Sequence, residues 1–421
     1  MKDTESPDAR AERRAAPKPA RIPSGDRLAY SPGEGPVYLD HNATTAPAPE
    51  VMREMLDALE LAWANPSSTH AAGQRARRLL VDARARVAHF LGCQASELVF
   101  TSGATEANHM AVLGALRLAS AEQPQRRRLL LSAVEHPGLL ALGERLRGEG
   151  FTVDLLPVDR QGRIDLQAAA ALIKSDVALV SVMGANNETG VLMPVGALAE
   201  LAHAAGALLH VDATQCLGKQ RFDFETLGAD LASVSAHKLR GPKGVGALLI
   251  KKGLALPALF SGRQERQRRG GTENLPGIVG FAAACELAAA TLGADIIHMA
   301  ALHHQLEAGL KTLAGTHIYG EAVPRLPNTC CLRFGTLDSE LVLNRLERAG
   351  VLASSGAACS AGGTQPSHVL LAMGESAAQA RAGIRFSMGP GNTAEEIREL
   401  IAIVRRVVGP LLQEQAELLP A

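Results

Sequence analysis

The chain has 421 residues, 47% of them hydrophobic and 20% charged, with 43 basic side chains balanced by 43 acidic ones. This length supplies two or three domains and a sizeable core, while zero net charge and 3% aromatic content exclude a phosphate-neutralising or base-stacking nucleic-acid binder. Six cysteines without a CxxC pair exclude a disulfide framework and point to no metal, and no apolar run is expected to reach the ~18–20 residues of a membrane helix, so a cytoplasmic chain with free thiols is expected.

Residues 1–36 are rich in Pro, Ala and mixed charge and are expected to form a disordered tail. From Val37 onward, strand-like and helix-like segments alternate. Gln74–Leu91 carries apolar residues at helical spacing and stops at Gly92. Leu98–Phe100 then reads as a strand, followed by a turn at Ser102-Gly103 and a helix through Met110 and Leu116. Further strands are expected at 128–134, 151–158, 177–183, 207–211, 231–235 and 246–250. Apolar strands alternating with helices predict a mainly parallel sheet covered on both faces. Beyond about residue 285 the pattern changes. Long helices over 281–314 and 393–417 flank strands at 329–334 and 384–387, which predicts a smaller α+β domain.

Open parallel sheets bind ligands beyond the carboxyl ends of their strands. Just past the predicted strands stand Ser102-Gly103-Ala104-Thr105, Glu135-His136-Pro137, Asn186-Asn187-Glu188-Thr189-Gly190, Asp212-Ala213-Thr214-Gln215 and His237-Lys238. The first can present helix N-terminal N–H groups to an anion, although such turns often only cap helices. Asp212 and Lys238 follow apolar strands and could form a structural ion pair. Together the three features also meet the needs of pyridoxal phosphate: a lysine for the Schiff base, an aspartate for the ring nitrogen and a cradle for the phosphate. His136 could then stack on the ring and move protons.

Cys359 lies in a stretch of Ser, Gly and Ala with no bulky anchor, the setting least suited to burial, and is the best nucleophile candidate. Cys330-Cys331 read as core residues. Arg385, between apolar neighbours, reads as a carboxylate clamp or a structural salt bridge. His303-His304 are expected in solvent and Arg263–Arg269 as a solvated basic loop. Gly241–Gly246 fits neither a Walker A loop nor a Rossmann fingerprint.

In order along the chain, YLDHNATT (38–45), NPSSTH (65–70), FTSGATEAN (100–108), EHP (135–137), NNETG (186–190), HVDATQ (210–215), SAHKLRGPKGVG (235–246), RRGGTEN (268–274), SSGAACS (354–360), PSHVL (366–370) and GIRFS (383–387) resemble the cysteine desulfurases of the NifS/IscS branch of the class V aminotransferase superfamily. The resemblance runs from about Val37 to about residue 405. It implies an α/β fold of the fold-type I pyridoxal-phosphate class, with a mainly parallel central sheet and a smaller α+β C-terminal domain. The 1–36 tail is not part of the family pattern, and the resemblance implies a segment over 37–49 packing with the small domain. A large cofactor-binding domain over 50–285 and a small domain over 286–421 follow.

The resemblance also implies individual roles. Lys238 would hold pyridoxal phosphate covalently. Ala104, Thr105, Ser235, His237 and the Thr272 of a second subunit would bind its phosphate. Asp212 would pair with the ring nitrogen, Gln215 with the ring hydroxyl, and His136 would stack on the ring. Asn42, Asn187 and Arg385 would hold the substrate. Cys359 would accept sulfur from L-cysteine as a persulfide, releasing L-alanine. A homodimer follows from the shared phosphate site, and a sulfur-acceptor protein follows from the persulfide. Such acceptors include scaffolds for iron–sulfur clusters and tRNA-thiolation proteins. The alternatives are a selenocysteine lyase or another class V enzyme, and a cofactor-bound protein without catalysis. His41 occupies a variable position of the family, and Gly389-Pro390-Gly391 departs from its pattern.

Overall fold

The computed structural model describes residues 35–356 and 365–418, so the expected tail and Cys359 lie outside the described residues. Thirteen strands are described: β1 (Val37–Tyr38), β2 (Leu98–Thr101), β3 (Arg128–Ser132), β4 (Thr152–Leu156), β5 (Val177–Met183), β6 (Leu208–Asp212), β7 (Leu231–Ser235), β8 (Gly246–Ile250), β9 (Thr316–Ile318), β10 (Thr329–Phe334), β11 (Val351–Leu352), β12 (Ser354–Ser355) and β13 (Ile384–Ser387). The large sheet has seven strands in the order β2-β8-β7-β6-β5-β3-β4. Neighbours from β4 to β7 run parallel. Strand β8 is antiparallel to both β7 and β2. The segment 236–245 between β7 and β8 is too short for a helical crossover, so the chain must reverse there.

Both faces of this sheet are covered. In β2, Leu98 and Phe100 join one core while Val99 joins the other, and Leu249 and Leu248 divide in the same way in β8. Side chains alternate across a strand, so a strand apolar at every position requires two buried faces.

The second sheet, β12-β13-β10-β9, is antiparallel. Its core gathers Leu332, Phe334, Ile384 and Phe386 together with Val37 and Leu39 from the far end of the chain. Strand β1 pairs in parallel with β11, placing Val37 beside Val351.

The Leu275–Leu310 helix belongs to both cores, through Leu275 to Ala288 at one end and Leu302, Leu306 and Leu310 at the other. It starts earlier than periodicity predicts because Asn274 caps the Gly277 N–H at 3.2 Å and Pro276 fits the first turn. The expectation that no apolar run reaches membrane length is corrected here. An 18-residue window of this helix has a mean hydropathy of 1.6, and 61% of that window is buried inside the protein. Its alanines let the Pro49–Leu61 and Ala71–Phe90 helices pack closely against it. The predicted 393–417 helix is two helices, Ala394–Val407 and Gly409–Leu418. Pro410 cannot donate a backbone hydrogen bond and breaks the run.

Two further expectations are corrected. His303 is buried, with Nε2 2.8 Å from Glu307 Oε1, and Arg325 donates to both oxygens of that carboxylate. Four residues apart, His303 and Glu307 share a helix face. Arg263–Arg269 is solvated only in part, with Arg263, Arg266 and Gln267 exposed. Glu265 is buried, accepts from the Phe100 N–H at 2.9 Å and pairs with Arg84. Glu265, Arg266 and Gln267 all have positive φ, of 45°, 55° and 65°. Each left-handed residue costs ~1–2 kcal/mol, offset by satisfying Arg84 and the β2 edge. Arg266 and Arg268 complete the attachment by donating to the Ala95 and Ser96 carbonyls.

Candidate active site

A cavity of about 510 Å³ opens at the carboxyl ends of the central strands. One end of it is the N-terminus of the Ala104–Glu122 helix, which follows β2 directly. Gly246 permits this junction, since a Cβ there would lie 2.8 Å from Gly103 Cα and 2.5 Å from the Val234 carbonyl. Ala104, Thr105, Ser235 and His237 line this end. Glu106 accepts from the Ser102 N–H at 2.7 Å and is neutralised by Arg269, whose Nε lies 2.8 Å away. Burial and neighbouring lysines push His237 down to about 4, so it is a neutral donor or acceptor near pH 7.

Asp212 ends β6. It accepts from Asn108 Nδ2 at 2.7 Å and from the Thr214 N–H at 3.0 Å. His136 caps the Pro137–Gly148 helix through Nδ1, which accepts from the Gly138 N–H at 3.1 Å. Burial lowers its pKa, so the ring is neutral and can cover an aromatic ligand. Beneath it Glu135 is fully buried, and desolvation followed by the charge of Asp212 raises its pKa well above the usual carboxylate range.

Lys238 follows β7, and its Nζ donates to the carbonyls of Asn42 and Ala43, the latter at 2.7 Å. Gln215 donates to the same Asn42 carbonyl at 3.0 Å.

Arg385 also lines the cavity and is 2% exposed. One of its nitrogens donates to the Asn187 carbonyl at 2.9 Å and another to Asp40 Oδ1 at 2.6 Å. The salt bridge that sequence allows is therefore present, on a side chain that lines the cavity. The Asn42 amide donates to Thr329 and to the Asn187 carbonyl, and its oxygen accepts from Asn328. That side chain is committed to the protein, and its carbonyl faces Lys238.

The residues fit pyridoxal phosphate. The donor set comprises an amine, a carboxylate and a helix N-terminus flanked by a hydroxyl and an imidazole. Two buried polar atoms, Asn108 Oδ1 and Thr214 Oγ1, have no partner among the described residues.

The class V aminotransferase family model, described as "Aminotransferase class-V", matches residues 37–400. The chain belongs to the class V aminotransferase family. It is 46% identical over 379 residues to a cysteine desulfurase of Cereibacter sphaeroides, covering 89% of this chain and 96% of that protein. Among solved structures, a NifS-like protein superposes with a TM-score of 0.82 at 36% identity, covering 89% of this chain and 99% of the other. A second, SspA in complex with cysteine, has a TM-score of 0.74 at 30% identity, covering 85% and 100%.

Within this family member, the cavity brings together Asn42, Ala104, Thr105, His136, Asn187, Asp212, Gln215, Ser235, His237, Lys238 and Arg385. Thr272 is exposed and does not line the cavity of its own subunit. Sequence reasoning gave no role to Asp40, Asn108 or Lys219. Asn108 was findable, four residues beyond Ala104 on the face that points to Asp212. Asp40 and Lys219 carry no local signal. The two departures from the family pattern touch each other, since a Cβ at Gly389 would lie 2.6 Å from the His41 ring.

Glu188 lies just behind this cluster. It is buried, accepts from the Ser367 hydroxyl, and leaves no room for a side chain at Gly356, where a Cβ would lie 2.4 Å from its Oε2. Burial raises its pKa from 4.5 to about 7. The folded state therefore holds a proton that the unfolded state has lost, and stability falls as pH rises from about 4.5 to about 7. Urea unfolding of wild type and Glu188→Gln at pH 5 and pH 8 is expected to show the variant gaining about 2–3 kcal/mol on the wild type at the higher pH. An unchanged difference between the two pH values would show that Glu188 is ionised throughout.

Proposed function

We propose that this class V enzyme is a pyridoxal-phosphate-dependent cysteine desulfurase that passes sulfur to an acceptor protein. The observation that carries the reading is the convergence of Lys238, Asp212, His136 and the Ala104 helix end on one cavity that Arg385 also lines. A solved relative described in complex with cysteine supports the substrate class.

Lys238 would anchor the cofactor, Asp212 would hold its ring nitrogen, and Ala104, Thr105, Ser235 and His237 would hold its phosphate. Bound there, the cofactor supplies an electron sink for charge developing at the substrate Cα. Arg385 and Asn187 orient the L-cysteine carboxylate. His136, neutral and partly buried, covers the reacting face and excludes water. Lys238 Nζ would move the Cα proton. Cys359 accepts the sulfur as a persulfide, leaving L-alanine, and then delivers it to the acceptor. The exposed position of Thr272 agrees with a homodimer in which it completes the phosphate site of the other subunit.

The test is to give purified protein L-cysteine and a thiol reductant and to measure alanine and sulfide together, for wild type and Cys359→Ser. Equal amounts of both products are expected from wild type, with sulfide lost in the variant. Product formation independent of Cys359 would point to other chemistry on the same cofactor.

A further inference from the structure

Lys219 is a second lysine behind the site, and the proposed chemistry has no use for it. It is 4% exposed, and its amine donates to Gln215 Oε1. The Gln215 amide nitrogen donates to the Asn42 carbonyl at 3.0 Å, and that carbonyl also accepts from Lys238. Three hydrogen bonds therefore connect Lys219 to Lys238 through Gln215 and Asn42.

This chain fixes which way the Gln215 amide points. With Oε1 held by Lys219, the N–H side faces Asn42 and the cavity. A flipped amide would set its oxygen against the Asn42 carbonyl, acceptor against acceptor. Gln215 is itself only 5% exposed, so losing the Lys219 donor would leave a buried oxygen unpaired.

The placement of Lys219 is costly. A second cavity, of about 40 Å³, adjoins it and is lined also by His41, Lys238, Arg240 and Asp295. Burial and the charges of Lys238 and Arg385 push its pKa well below the usual lysine value, opposed by the Cys216 thiol. His41 and His237 are in turn lowered partly by Lys219. An apolar side chain would fill this space at less cost.

We infer that Lys219 is a positioning residue of the cofactor pocket, acting through Gln215 to present its amide N–H to the ring hydroxyl of bound pyridoxal phosphate. This rests on the cofactor reading above. Its test uses wild type, Lys219→Met, Gln215→Leu and the double variant. Each is stripped of cofactor, titrated with pyridoxal phosphate by visible absorbance, and melted in the apo form. Each single variant is expected to bind about tenfold more weakly and to shift the absorbance band. The double variant is expected to be no weaker than Gln215→Leu within about twofold, because the two residues act as one unit. A wild-type Kd and band for Lys219→Met, or additive losses in the double variant, would overturn the inference. Should Lys219→Met not fold, Gln215→Glu decides. It keeps the Lys219 contact but removes the N–H, so unchanged cofactor binding would sink the idea. If wild type itself takes up no pyridoxal phosphate, the cofactor reading and the inference fall together. Wild-type uptake with unaffected variants removes the inference alone.

Discussion

Lys238→Ala is expected to lose the visible absorbance of the bound cofactor and at least about a thousandfold in kcat/KM. The fold should survive. Lys238 is only partly buried, and the two carbonyls it releases, those of Asn42 and Ala43, face the cavity, where water can satisfy them. Absorbance and product formation, measured beside a thermal melt, separate these effects. Retention of both the visible band and full turnover would remove Lys238 from the chemistry.

Arg385→Ala should act on stability and substrate binding together. The side chain is 2% exposed and holds the Asp40 carboxylate and the Asn187 carbonyl at once. Removing Arg385 leaves the partly exposed Asp40 without its charged donor, at about 1.5–3 kcal/mol. The same truncation removes the charge facing the substrate carboxylate, so KM for L-cysteine should rise by about 10–100-fold, given ~1.5–3 kcal/mol for a charged hydrogen bond. Arg385→Lys is no mild substitution, because one ammonium cannot reproduce the forked contact with both Asp40 and Asn187. Denaturant unfolding and steady-state kinetics, taken well below the melting temperature, report the two roles separately. An unaltered cysteine dependence would leave Arg385 only as a strut. An unaltered unfolding midpoint would leave it only as a clamp.

Much of this site could be read from local sequence, because polar residues directly after apolar strands mark a sheet's carboxyl edge. The bounds of β5, β7, β8, β10 and β13 follow from apolar runs cut off by polar or turn residues. The reversal of β8 was not legible, since its composition matches that of its parallel neighbours. Nor was the burial of Glu265 inside a basic stretch, because its partners Arg84 and Phe100 lie more than a hundred residues away. Asp40 was missed for the same reason. Its cation is 345 residues distant, and charge pairs at such separation leave no periodic trace.

That distance has a bearing on how the protein is made. Val37, Leu39 and Asn42 are made hundreds of residues before their partners Val351, Leu352 and Ser387. At translation speeds of ~5–20 residues per second, the 345 residues between Asn42 and Ser387 impose a wait of roughly 20–70 seconds. Throughout it, the Asn42 carbonyl that receives Lys238 sits on a segment not yet docked. On the proposed function, cofactor capture would then wait until β13 has been made, and a nascent chain halted before β13 should emerge colourless.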